Sequence, residues 1–306
     1  MKYILGVDAG GTKTIAQIAA ENGKVLGEGV AGAVHMQLVS NEQFIATLAN
    51  AVADAVHKAG TIKNLQFDAA FLGIAGIDSI ADQNRARELV SKVVSTKNSK
   101  NLYVENDVKI VRAAGSNAAH GVAVISGTGS NVYGVNKKGK EAWAIGLGPV
   151  MSDEGSSWWI GERALRLADR SYDGRGEKTA LEQELMRHFG VNDFRELSTA
   201  TQGLSKKEVA ELSPLVERVA LKKDKIAAQI FTEAAAQLAL GVNTVVKNIN
   251  MQNEVFDIVA SGGTFNSGLN FGNLIQKNLE ASKAKLIVLK EPPVNGALKL
   301  ARQLLT

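Results

Sequence analysis

The sequence predicts an α/β protein built from two similar domains. Three observations lead there. Short apolar runs alternate with helical patterns along the chain, the order of elements that α/β domains show. A strand that breaks into a glycine- and hydroxyl-rich turn occurs twice, first as Ile4-Leu5-Gly6-Val7-Asp8-Ala9-Gly10-Gly11-Thr12-Lys13-Thr14-Ile15 and again over Gly121 to Ser130. The two copies also hold one register, because Gly11-Thr12 corresponds to Gly127-Thr128 and Gly23-Lys24 to Gly139-Lys140 at a constant offset. A repeat of that length implies two copies of one unit, each offering a turn to a shared ligand.

The elements follow in order. Strand-like runs fall near residues 2–8, 15–20, 25–30, 67–74, 102–105, 122–126, 131–136, 142–146, 256–260 and 285–289. Asn41 to Ala59 places Phe44, Ile45, Leu48, Val52 and Val56 on one helical face and stops at Gly60. Ser79 to Val94 and Asp107 to Ala119 read as two further helices. Residues 153–250 are mainly helical and end in an apolar-rich helix, Lys225 to Lys247. After Pro292-Pro293 a last helix spans Val294 to Leu305. With four prolines and no low-complexity linker, the domains meet at a short connection near residue 117.

Composition narrows the function. A chain of 306 residues has room for two domains, and 45% hydrophobic with 22% charged residues is ordinary for a globular protein. The net charge of +4 is mild and its basic residues are spread out, so nucleic acid is not an expected partner and a small anionic molecule is. No cysteine is present, which excludes disulfides, Fe–S clusters and thiol catalysis. No apolar run is long enough to span a membrane, and Asp8 arrives too early for a signal peptide, so a cytoplasmic location is expected.

The turns carry the chemistry. Glycines let backbone N–H groups approach an anion, and Thr12, Thr14 and Lys13 add donors, so Gly10 to Thr14 fit phosphate. Asp8 cannot favour phosphate directly but can hold a hydrated Mg²⁺. A plain turn between two strands could carry the same glycines; the second copy, Ser126-Gly127-Thr128-Gly129-Ser130, argues against that. A third turn, Ser261-Gly262-Gly263-Thr264, joins a strand to a helical pattern, a nucleotide-friendly geometry. Asp107 follows Leu102-Tyr103-Val104-Glu105-Asn106 at a strand end where a helix begins, an active-site position in an α/β domain. Capping the helix is its alternative role, and Glu105 is a competing carboxylate that strand alternation puts on the same face. No cluster of histidines and carboxylates suits zinc; His57, His120 and His188 read as ordinary helix or loop residues.

Taken together the three turns resemble those of the sugar kinase, Hsp70 and actin superfamily. Within it the chain resembles the N-acetylglucosamine kinase branch, the BadF/BadG/BcrA/BcrD ATPase family, above all over Met151-Ser152-Asp153-Glu154-Gly155-Ser156-Ser157-Trp158-Trp159-Ile160-Gly161. The resemblance implies two ribonuclease-H-like domains with ATP in the cleft between them. The first would cover residues 1–117 with helix 293–306 packed back on it, and the second residues 118–292 with a helical insertion. It implies an ATP- and Mg²⁺-dependent kinase of a small sugar or sugar acid, acting as a homodimer. Asp107 would be the catalytic base, and Asp8 would orient the metal. Gly10, Gly11, Thr12, Lys13, Thr14, Thr128 and Gly129 would hold the phosphates, with Gly262, Gly263 and Thr264 at the adenosine. Asp153 would accept hydrogen bonds from sugar hydroxyls, and Gly76, His35 and Gly146 would line the sugar pocket.

Two departures from the family pattern fall on the acceptor side. Val34 stands where the family has a sugar-contacting asparagine, and Leu147 replaces a tryptophan. These point to an acceptor other than N-acetylglucosamine, with 2-keto-3-deoxygluconate or a plain hexose as rivals, while an N-acetylglucosamine kinase stays the reading that the resemblance itself implies. A dehydratase activator of the same family needs cysteines to hold its cluster, and the chain has none. An ATP-driven chaperone or regulatory ATPase is the non-enzyme alternative, but the chain lacks a separate peptide-binding domain.

Overall fold

The computed structural model describes residues 2–60 and 66–305. The chain forms two compact units, Met1–Ala123 with Leu289–Thr306, and Val124–Val288. In the first, β1 (Tyr3–Ala9), β2 (Thr14–Ala20) and β3 (Val25–Ala31) form an antiparallel meander, and β4 (Ala69–Ile74) and β5 (Leu102–Asn106) add in parallel, giving the order β3-β2-β1-β4-β5. Helices α1 (Asn41–Lys58), α2 (Ile80–Ser91) and α3 (Asp107–Gly115) link the strands, and α11 (Val294–Gln303) returns from the C-terminus.

Strand alternation builds the core on both faces of this sheet. Leu5, Val7, Ala16 and Ile18 pack with Phe44, Leu48 and Leu89 of α1 and α2. Ile4, Ala19, Ala69 and Phe71 pack on the other face with Ile110 of α3 and Ala297, Leu298 and Ala301 of α11. The C-terminal helix is therefore part of this unit's core. Among the parallel strands Ala9 aligns with Ile74, and Ile74 with Asn106, so all three end along one edge.

The second sheet begins with β6 (Gly121–Ser126), which crosses the boundary between the units at Val124, and with β7 (Ser130–Val135), β8 (Glu141–Ala144), β9 (Phe256–Ser261) and β10 (Ala284–Val288) takes the order β10-β9-β6-β7-β8. This repeats the first sheet strand for strand. The repeat reaches single hydrogen bonds. Ala20 N–H donates to Lys24 O at 3.0 Å and Gly23 N–H to Ala20 O at 2.8 Å, while Asn136 N–H donates to Lys140 O and Gly139 N–H to Asn136 O, both at 3.0 Å. Gly23 (φ +90°) and Gly139 (φ +79°) occupy the left-handed conformation these tight turns need.

Between β8 and β9 lie α4 (Ser157–Asp173), α5 (Leu181–Phe189), α6 (Leu197–Ala200), α7 (Lys206–Ala210), α8 (Ser213–Leu221) and α9 (Lys225–Asn248), and α10 (Phe271–Gln276) precedes β10. The ten expected strands all occur, with ends displaced by at most a few residues. Several helices are shorter than their patterns, α2 and α3 most of all. α3 stops at Gly115 because Ser116 is extended (φ −138°, ψ 144°), and α4 starts at Ser157 because the preceding segment is a loop with Ile145 (φ +64°) and Asp153 (φ +76°) left-handed. No helix among the described residues is long and apolar enough to cross a membrane.

Candidate active site

The edge where β1, β4 and β5 end collects most of the first unit's candidate residues. Asp8 is the penultimate residue of β1, and the turn after it closes through Gly10 N–H donating to Lys13 O at 3.0 Å. The loop carrying Val34 and His35 is tied to the same edge. Val34 N–H donates to Gly10 O at 3.0 Å, and Met36 N–H donates to Ala75 O at 2.9 Å. The His35 ring lies against Gly76, where a Cβ would come within 2.5 Å of it.

Asp107 stands at the first position of α3, on the same edge. The capping task falls to Asn106, whose Oδ1 accepts from Val108 N–H at 3.0 Å while its Nδ2 donates to Ile77 O at 3.0 Å. The Asp107 carboxylate also accepts from the backbone N–H groups of Val108 and Asp107 itself, so it adds to the cap that Asn106 provides. Glu105 is occupied otherwise, since Lys109 Nζ lies 3.2 Å and Arg87 3.9 Å from its carboxylate. The chain turns from strand to helix between the two residues, so strand alternation does not carry from Glu105 to Asp107.

The electrostatics single out the edge. Burial, then the neighbouring charges of Asp8 and Asp78, push the Asp107 pKa up to about 7. Burial pushes Asp8 up to about 6, with the Lys13 ammonium pulling it back. Perturbed carboxylates gathered at one edge mark a functional-site candidate. Asp78, whose charge acts on Asp107, is the neighbour that sequence reasoning missed. It is exposed, and its Oδ2 accepts from Gln37 Nε2 at 2.9 Å. From sequence it looks like any acidic residue ahead of a helix, and its position in the segment with Gly76 was the available signal.

In the second unit the other two turns are fastened together. Thr264 Oγ1 donates to Ser126 O at 2.8 Å, and Ser126 Oγ donates to Gly155 O at 2.7 Å. Gly262 (φ +120°) lies so close that a Cβ would stand 2.0 Å from Ser126 O. The start of α4 docks on the same turn through Ser157 N–H donating to Gly127 O at 2.8 Å. Thr128, Gly129, Gly262, Gly263 and Thr264 therefore form one surface. Asp153 joins it, 2% exposed, with Oδ1 accepting from Ser130 N–H at 3.0 Å. The α4 cap is Ser156, whose Oγ accepts from Trp159 N–H, so Asp153 is no helix cap.

The remaining acceptor-side residues separate. Gly146 (φ +93°) packs against Asn131, next to Ser130. Leu147 is 55% exposed, and its N–H donates to Ser152 Oγ at 2.8 Å. Val34 is 1% exposed and its side chain belongs to the first unit's core.

The glycines test whether the turns fit a nucleotide. Packing accounts for Gly262 and Gly129, where a Cβ would collide with protein atoms. It does not account for Gly11, Gly127 and Gly263, one in each turn, where a Cβ would meet nothing within 4 Å. Open glycines beside hydroxyl donors fit close approach of a phosphate to the backbone. Thr14 Oγ1 is buried with no hydrogen-bond partner in the fold. Among the described residues no three acidic or histidine side chains are arranged to hold a metal by themselves. Mg²⁺ at phosphoryl-transfer sites takes one or two carboxylates, with water and substrate phosphates completing its shell, a donor set that Asp8 fits.

The chain belongs to the BadF/BadG/BcrA/BcrD ATPase family, which matches residues 5–301. It is 33% identical over 306 residues to an N-acetylmuramic acid/N-acetylglucosamine kinase of Clostridium acetobutylicum, covering 99% of each chain. It is 27% identical to an N-acetyl-D-glucosamine kinase of Dictyostelium discoideum, covering 98% of each. A crystal structure of a Chromobacterium violaceum protein assigned as an N-acetylglucosamine kinase shares the fold, with TM-score 0.78 and 22% identity over 98% of this chain and 99% of that one.

Proposed function

We propose that this chain transfers the terminal phosphoryl group of ATP to a hydroxyl of an amino sugar of the N-acetylglucosamine type. The observation that carries the reading is Asp107, a carboxylate at the same sheet edge as Asp8 and its phosphate turn, with its pKa pushed up to about 7 by burial and the neighbouring charges of Asp8 and Asp78. A general base works best when its pKa lies near the working pH.

The acceptor hydroxyl loses its proton to Asp107 as its oxygen bonds to phosphorus, and the bond from phosphorus to the bridging oxygen breaks to release ADP. Positioning and charge neutralisation supply most of the rate in such reactions. Lys13, the hydroxyls of Thr12 and Thr14 and the open backbone at Gly11, in the turn that Gly10 N–H closes on Lys13 O, answer the phosphate charge. Asp8 would hold Mg²⁺, which when bound supplies further charge neutralisation. Thr128, Gly129, Gly262, Gly263 and Thr264 bind the nucleotide, and Asp153 orients the sugar. Dependence on ATP supports a cytoplasmic location for the reaction.

The choice of acceptor rests on two supports. Both relatives named above are kinases of N-acetylated amino sugars. Of the two departures that spoke against such an acceptor, Val34 and Leu147, the Val34 side chain lies in the core, so a missing amide there does not alter a pocket wall.

The test is ADP release with N-acetylglucosamine, N-acetylmuramic acid, glucose and 2-keto-3-deoxygluconate as acceptors. The amino sugars are expected to give the highest kcat/KM. Asp107→Asn is expected to lower kcat by about 10²–10⁴-fold and leave nucleotide affinity near wild type. A preference for glucose or the keto acid overturns the acceptor. Loss of activity in Glu105→Gln but not in Asp107→Asn overturns the base.

A further inference from the structure

Beside the second phosphate turn lies a cation that the mechanism above does not use. Lys206 opens α7, whose start is fixed by Ser205. Glu208 N–H donates to Ser205 Oγ at 3.3 Å, and Ser205 N–H donates to Glu208 Oε2 at 2.8 Å. From there the Lys206 ammonium reaches to 2.7 Å from Asp153 Oδ2. It also lies on the turn itself, because a Cβ at Gly129 would stand 2.8 Å from Lys206 Nζ and 2.8 Å from Asp153 Oδ1. Glycine at 129 leaves the slot in which ammonium and carboxylate meet the turn.

Stability does not account for the arrangement. A buried ion pair gains little over apolar packing of the same volume, because removing both charges from water offsets their attraction. Asp153 is also held left-handed (φ +76°), a conformation costly for a residue other than glycine. Ser130 Oγ, adjoining Gly129, is buried without a hydrogen-bond partner. The Lys206 side chain keeps 22% of its surface exposed. An ammonium has three donors, and the ion pair engages one side of it.

We propose that Lys206 binds an anionic oxygen of a reactant at the Thr128–Gly129 turn, with Asp153 as its anchor. The inference rests on the kinase reading. That oxygen has two sources, a phosphate of the nucleotide or the carboxylate of an acidic sugar. The phosphate is favoured because Gly129 belongs to a phosphate turn.

Calorimetric titration of a non-hydrolysable ATP analogue, ADP and AMP into wild type, Lys206→Met and Lys206→Arg is the test. Lys206→Met is expected to weaken the ATP analogue about tenfold or more, the usual scale for one hydrogen bond to a charged group. ADP should lose less and AMP nothing, and Lys206→Arg should keep most of the affinity. If nucleotide affinities hold but kcat/KM for N-acetylmuramic acid over N-acetylglucosamine falls tenfold, the oxygen is the sugar's carboxylate. If neither moves, the pair is structural and the proposal fails. Should Lys206→Met not fold, amine-reactive labelling of wild-type protein read by mass spectrometry decides. Protection of Lys206 by the ATP analogue or the acidic sugar supports the proposal, and protection by neither overturns it. A wild type that binds nucleotide yet transfers no phosphoryl group overturns the kinase reading alone, since the titration does not depend on turnover.

Discussion

Asp107 sets catalysis against stability in a single side chain. Its pKa of about 7 and that of Asp8, about 6, both lie above the usual carboxylate value. Between about pH 4 and 7 the folded protein therefore holds protons that the unfolded chain has released. Unfolding free energy falls as pH rises wherever the folded state binds more protons. These two groups accordingly favour the fold below about pH 4 and weigh against it progressively up to about pH 7. Asp107→Asn removes one charge and relieves the other, so it should raise the melting temperature at pH 8. The gain should shrink as the pH falls and vanish near pH 4. Melting curves of both proteins from pH 4 to 8 check this, and a variant less stable than wild type at pH 8 contradicts it. Asp78 belongs to the same balance. Its charge helps raise the Asp107 pKa, so Asp78→Asn should move the acid limb of the pH–rate profile to lower pH. An unmoved limb would show that Asp78 does not reach the base.

At the scale of the element, turns that look alike in sequence hold their glycines for different reasons. Gly262 is fixed by the fold, because its Cβ would strike the Ser126 carbonyl at 2.0 Å and its φ of +120° strains any side chain. Gly263 faces open space. Gly262→Ala should therefore cost about 3 kcal/mol or more by combining overpacking with backbone strain. Gly263→Ala should change stability by less than about 0.5 kcal/mol, as surface substitutions do, yet weaken nucleotide binding. Urea unfolding together with nucleotide titration of the pair separates the two roles. Equal stability losses would show that both glycines serve packing. Sequence reading located these turns because glycine spacing is a local signal. It did not distinguish the two roles, which depend on a carbonyl 136 residues away in sequence at Ser126. The loop at Val34 shows the same limit. A loop has no periodicity to say which side chains face inward, so Val34 read as a pocket residue and lies in the core. Lys206 went unread because one lysine opening a short helix looks like any solvated face; its contact with Asp153 is tertiary.

At the scale of the whole chain the internal repeat was the most legible feature, since it sums weak local signals in register. Strand, turn, strand, hairpin and strand recur in both copies, and the hairpin of each holds the same left-handed glycine, at Gly23 and at Gly139. The division of labour between the copies was less legible. Asp8, Asp78 and Asp107 belong to one unit, while Asp153, Lys206 and two of the three turns belong to the other. If both units bind one nucleotide, its effect must reach all three turns. Amide hydrogen exchange read by mass spectrometry tests this in the intact protein. Exchange at a turn slows when a ligand stabilises the closed backbone over local opening. Adding Mg²⁺ and a non-hydrolysable ATP analogue should slow exchange in peptides covering residues 10–14, 127–130 and 261–264, and AMP should slow chiefly the last. Protection confined to the second unit would mean that the first turn serves something other than the nucleotide. The assignment of Gly10 to Thr14 to phosphate would then fall, whereas Asp107 as base would still be judged by its own variant.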